Sequence, residues 1–248
     1  MKNITKNKIF VIVSSLAMLL FNFYAEWLPI NGVTRLEVLN SIPIYFMPSN
    51  YVYNIWYVIY AGLIIFNLYL LFSKKDIDSK IAKWIVVANI VNIIWIFVWH
   101  YLLTGLAVIA VSIIFISLVI IFFELGKKKK PFFPYAFFSI YTPWMMVAML
   151  SNFAASNYMA RGGEFFFSSE LTTIFLIILI TIPAVITLII RNDFIFSSVI
   201  LFSIFGILTK HFYQSDSIVA TAMIASLILL VGVMIGIVKH FLSRPSKP

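Results

Sequence analysis

Tyr53, Trp56 and Tyr60 follow one another at steps of three and four. So do Asn92, Trp95 and Trp99, and so do Tyr141, Trp144, Ala148 and Asn152. Such steps lay each set along one face of a helix. These residue types can stack a flat conjugated ring and hydrogen-bond a polar edge. Offset or edge-on aromatic pairs add about 0.5–1.5 kcal/mol beyond area burial. Asn amides and Trp N–H groups cost free energy in hydrocarbon unless they find partners. Three such stripes predict helices gathered around one aromatic, sparsely polar interior, the lining expected of a small-molecule pocket in a membrane. The candidate ligand-binding residues are Trp56, Tyr60, Asn92, Trp95, Trp99, Tyr141, Trp144 and Asn152, led by Trp56, Trp95 and Trp144. The competing reading makes the tryptophans packing residues or an interfacial belt. A belt would confine them to helix ends, whereas Trp95 and Trp144 are expected near mid-helix. Asn92 and Asn152 can equally hydrogen-bond each other or a neighbouring helix, an interaction worth about 0.6 kcal/mol in membranes. Asn89 and Asn67 are read only that way.

The elements that must position these residues are membrane-spanning helices. The 248 residues are 62% hydrophobic and 11% charged, against roughly 45–50% and 25% for a soluble domain. Eight apolar runs approach or exceed the roughly 20 residues needed to cross a bilayer: 9–28, 49–73, 82–103, 105–125, 133–156, 171–190, 194–209 and 216–239. The fold class is therefore an all-α polytopic transmembrane bundle. Thr104-Gly105 separates the third and fourth runs, and Arg191-Asn192-Asp193 the sixth and seventh. The first run is expected to remain as a helix; removal as a leader near Tyr24-Ala25 would need a small residue where Phe23 stands.

Charge orients the bundle. On alternate sides of eight spans, one set of loops carries Lys2, Lys6, Lys8, Lys74, Lys75, Lys80, Lys83, Lys127, Lys128, Lys129, Lys130, Arg191, Lys239, Arg244 and Lys247. The other carries only Arg35, Arg161 and Lys210. By the positive-inside rule, both termini are cytoplasmic in a multi-pass protein of the cell membrane. The net charge of +9 sits in these short flanks, where it serves topology and lipid headgroups rather than nucleic acid. The longest outer loop, 29–48, holds turn signals at Asn31-Gly32 and prolines at 29, 43 and 48. Its Leu36, Val38, Leu39, Ile42, Ile44, Tyr45 and Phe46 predict that it folds back over the mouth of the bundle.

The remaining chemistry is sparse. Without cysteine there is no disulfide, thiolate metal site or cysteine nucleophile. No paired His/Glu spacing, nucleophile–base set or phosphate loop is present. Glu26 and His100 fall near the outer face; His100 reads as an interface residue or, alternatively, an axial ligand to a metallated macrocycle. His211 and His240 lie near loops. Gly232-x-x-x-Gly236 is a small-residue packing motif, read as packing within the protomer; a homodimer is the other use of such a motif. Pro183 is expected to kink its helix.

Tyr53-x-x-Trp56-x-x-x-Tyr60-x-Gly62 resembles the second helix of the TspO/MBR family, the tryptophan-rich sensory or translocator proteins. Asn92-x-x-Trp95 resembles its third helix, and Tyr141-x-x-Trp144-x-x-x-Ala148-x-x-x-Asn152 its fifth. The likeness covers about residues 9–157. Ordinary members have five spans, so 1–160 reads as a TspO-like five-helix bundle. Residues 161–248 then add three helices, as in a longer bacterial branch. Asn54 stands where the family has proline, and Pro143 where it has an aliphatic residue. The resemblance implies binding of porphyrins or related tetrapyrroles, a haem-like ligand included, and a role in sensing or tetrapyrrole handling. It requires no cofactor. A small-molecule transporter and a porphyrin-degrading enzyme are the alternatives. The expected partners are a hydrophobic small molecule and membrane lipid. Residues 171–239 lack an aromatic–polar stripe, so the extra helices are expected to support the bundle rather than line the pocket. Reporter fusions after residues 78, 129 and 248 are expected to report the cytoplasm, and one after 164 the outside. An external C-terminal reporter would overturn the eight-span topology.

Overall fold

A computed structural model describes residues 5–127, 132–164 and 167–242. Lys2, Lys128, Lys129, Lys130, Arg244 and Lys247 of the charge pattern lie outside them. Helices dominate: α1 Lys6–Trp27, α2 Arg35–Ser41, α3 Ile55–Phe72, α4 Ser79–His100, α5 Thr104–Gly126, α6 Phe132–Ala160, α7 Ser169–Arg191, α8 Phe194–His211 and α9 Asp216–Leu242. Among the described residues, eight helical stretches are long and apolar enough to span a bilayer; α2 is not among them. The chain is thus a polytopic all-α membrane protein, because helices satisfy their own backbone groups where no water can.

Boundaries follow local capping. The α4–α5 turn falls at Tyr101–Leu103, with Leu102 left-handed (φ +54°), so Thr104 begins α5 rather than the connection. Between α7 and α8, Asn192 closes one helix in the left-handed conformation, and the Asp193 carboxylate accepts from Phe196 N–H at 3.0 Å to open the next. Helix α7 continues through Pro183 and α6 through Pro143. In α2, Thr34 and Glu37 form a reciprocal capping box. The Thr34 backbone and hydroxyl donors hold the Glu37 carboxyl below its usual range.

Two compact units emerge, Met1–Pro43 with Ile55–Glu164, and Ile44–Asn54 with Phe165–Pro248. In the first, α5 packs between α4 and α6, α1 packs on α4, and α3 lies against α1 and α6. Helix α6 is the most enclosed, with 67% of its spanning window buried against 28% for α1. Gly62 lets α3 approach it: a Cβ there would sit 2.6 Å from the Phe137 ring. In the second unit, α9 packs on both α7 and α8. Gly232 and Gly236 face Leu188 and Phe194, so the small-residue motif does pack within the protomer.

Two expectations are corrected. The second apolar run is not one α-helix: Asn50–Asn54 forms a 3-10 turn before α3. The loop 29–48 does not act as one flap. Its first half stays with the first unit, where Asn31 Nδ2 donates to His100 O at 3.2 Å and α2 packs on α4. Residues 44–54 instead dock on α8. Lys210 Nζ donates to Ile44 O and Met47 O (3.3 and 2.9 Å), and His211 Nε2 lies 2.9 Å from Tyr45 O. Ser49 N–H and Oγ–H both donate to Gly206 O. An irregular, proline-bearing segment must find such outside donors for its carbonyls. Val52 and Pro48 fill the notch at Gly206, where a Cβ would meet them at 2.3 and 2.9 Å. Gly206→Leu is expected to lose about 1–3 kcal/mol to overpacking, read as a lowered thermal midpoint. Gly105→Ala, with nothing within 4 Å of its Cβ, should not lower it.

Candidate functional site

Helices α3, α4 and α6 bring the predicted aromatic residues together. Tyr60 stacks on Trp56 (ring centroids 5.7 Å apart, planes at 27°), Trp56 on Trp95 (6.2 Å, 27°) and Trp95 on Trp99 (6.3 Å, 22°). Tyr60, Trp56, Trp95 and Trp99 thus form one row of near-parallel rings. Trp144 meets Trp56 edge-on at 6.0 Å and 87°, and Tyr141 does so at 6.5 Å and 72°. Trp56, Trp95, Trp99, Tyr141 and Trp144 are all buried, so they are not belt anchors. Trp84 differs: it is half-buried in the first turns of α4, with Lys83 Nζ 5.8 Å from its ring centroid.

The row lies toward the end of the first unit where α1 and α4 finish and α3 begins. Trp95 is five residues from the end of α4, about 7–8 Å of helix rise, and so lies nearer that end than mid-helix. Only Trp144 is central to its helix. Neighbouring rings touch, and 6.2 Å between Trp56 and Trp95 is less than the roughly 7 Å that two stacking gaps require. A flat ligand would lie along the flank of the row or at its ends, not between the rings.

The polar residues tie the helices. Trp95 Nε1–H donates to Asn152 Oδ1 at 3.0 Å, while Asn152 Nδ2 donates to Ala148 O within its own helix. Asn92 Oδ1 accepts from Asn22 Nδ2 at 2.7 Å, and Asn22 Oδ1 accepts from the Tyr60 hydroxyl at 2.9 Å. Asn22 was not among the sequence candidates. Its signal was Val11, Ser15, Met18, Asn22 and Ala25, steps of four and three that define the buried face of α1. Among the described residues, Asn92 Nδ2 and the Tyr141 hydroxyl have no hydrogen-bond partner. The first is an amide donor and the second a phenol that can donate or accept.

The other polar residues divide. Asn89 Nδ2 donates to Ser14 and Ser15 of α1, the interhelical role expected of it. Asn67 does not do likewise. It is buried, and neither amide atom has a partner among the described residues; the buried positions beside it on α3, Leu63, Phe66 and Leu70, carry no polar group. His100 is not an interface residue. It is 2% exposed, its Nδ1 lies 2.7 Å from Ile96 O, and Nε2 has no hydrogen-bond partner among the described residues. Glu26 accepts from the Tyr57 hydroxyl at 3.3 Å. His211 is committed to the 44–54 segment, and His240 lies against the Phe194 ring.

A family model described as TSPO-like protein matches residues 8–235. The match runs through all eight spanning helices, where the sequence resemblance had stopped near residue 157. No curated protein and no solved structure gives a match. The amide chain makes its own prediction. A double-mutant cycle of Asn22→Ala and Asn92→Ala, followed by thermal unfolding, is expected to give a coupling of about 0.6 kcal/mol, up to about 1.7. Additive effects would deny that the pair ties α1 to α4.

Proposed function

Because the chain belongs to the TSPO-like family, we propose that it binds a hydrophobic, planar, conjugated small molecule of the tetrapyrrole or porphyrin class against its aromatic row. The observation that carries this reading is the row of four rings, each near-parallel to the next, with Trp56, Trp95 and Trp99 buried and Tyr60 half-buried, flanked edge-on by Trp144 and Tyr141. A conjugated face gains by offset stacking on such a surface. The polar edge of the ligand would meet Asn92 Nδ2 and the Tyr141 hydroxyl, whose burial makes a missing partner costly. The same reading makes the protein a ligand-binding or sensory component of the cell membrane with both termini in the cytoplasm.

Titrating the purified protein with a tetrapyrrole panel while following Trp fluorescence tests the proposal. Saturable quenching at stoichiometric ligand is expected, with neither ligand flux nor turnover. Trp144→Ala is a poor probe, since deleting a buried Trp costs about 3–5 kcal/mol and instability would imitate lost binding. Trp144→Phe keeps a ring. It is expected to weaken tetrapyrrole affinity with near-native thermal stability, whereas Trp84→Phe leaves affinity unchanged. Equal effects of the two substitutions would rule out stacking at Trp144.

A further inference from the structure

A concave surface lies away from the aromatic row, at the opposite end of α3. Ile65, Leu68, Tyr69, Phe72 and Ser73 line it with Phe133 of α6, around a cavity of about 410 Å³. Its walls are almost wholly apolar, and Leu68 and Phe72 are exposed. An apolar groove on a spanning helix faces hydrocarbon, so chain length and shape alone name no occupant. Charge at its mouth does. Ser73, the last groove residue of its segment, is followed directly by Lys74 and Lys75, both exposed. Lys8 Nζ donates to Ser73 O at 2.8 Å, which brings a third cation to the same end.

The nearby carboxylates are already engaged. Asp76 accepts from Thr5 Oγ1 and from Ile77 N–H, and Asp78 caps α4 by accepting from Lys80 and Ile81 N–H groups. With Lys8, the cations Lys74 and Lys75 outnumber these two carboxylates, so this end of α3 carries net positive charge beside an apolar slot. We propose that this end of α3 holds one anionic phospholipid, its acyl chain in the groove and its phosphate at Lys74 and Lys75. Basic residues just beyond a spanning helix attract anionic headgroups, and the groove turns that diffuse attraction into a defined seat.

Native mass spectrometry of the purified protein, with phosphatidylglycerol and phosphatidylcholine of matched chains in competition, tests the seat. One tightly retained phosphatidylglycerol is expected. The Lys74→Gln/Lys75→Gln variant should lower the preference for it by roughly 30-fold, while Lys239→Gln at the end of α9 leaves it unchanged. Leu68→Trp should fill the groove and reduce retention of both lipids. Leu68 is 46% exposed, so this variant should keep its thermal midpoint; if it does not, Ile65→Trp, 49% exposed on the same wall, replaces it. Equal retention of the two lipids by the wild type overturns the proposal. So does an unchanged preference in the double-lysine variant, or undiminished phosphatidylglycerol in the folded groove-filled variant.

Discussion

The amide of Asn22 is the tie on which the candidate site depends. One side chain on α1 accepts from Tyr60 of α3 and donates to Asn92 of α4. Lipid supplies no competing water, so each of these polar groups is held by its neighbour or by nothing. Tyr60 is the first ring of the aromatic row, and Asn92 lies one turn before Trp95. The hydrogen bonds consequently set where two of the three ring-bearing helices stand. The Trp95–Asn152 bond does the same for the third. Apolar packing alone would leave rotation of these helices weakly specified, because one greasy face resembles another.

Burial then separates tryptophans that composition treats alike. Trp56, Trp95, Trp99 and Trp144 are enclosed, whereas Trp84 is half-buried beneath a lysine and Trp27 is exposed at the end of α1. Three of the enclosed four, Trp56, Trp95 and Trp99, stack in sequence, and Trp144 meets Trp56 edge-on. The half-buried Trp84 and the exposed Trp27 suit the headgroup region, where an indole keeps its N–H hydrated.

Much of this was legible in the sequence, for a definite reason. A step of three or four residues converts directly into a helix face, so Trp95 with Trp99 and Tyr141 with Trp144 could be aligned without coordinates. The eight spans were legible because hydrocarbon thickness fixes their length. The 3-10 turn at Asn50–Asn54 was not legible, because its spacing is close to that of an α-helix. Asn22 was overlooked as a single polar residue in an apolar run, and His100 was set at the interface because nothing local reveals which way a helix-end residue turns. The docking of 44–54 was out of reach, since its partners lie on α8.

That docking has a consequence in time. The Ser49–Gly206 bond joins residues 157 apart in the chain. At about 5–20 residues per second, synthesis takes about 8–30 s to deliver the second partner after the first. During that interval the donors on α8 do not yet exist, and the carbonyls of Ile44, Tyr45 and Met47 must be served by water or by the insertion machinery. Helices α3, α4, α5, α6 and α7 enter the membrane meanwhile. Assembly of the second unit is thus a late event that closes around an early segment, and a ribosome stalled before residue 206 would leave that segment exposed at the membrane surface.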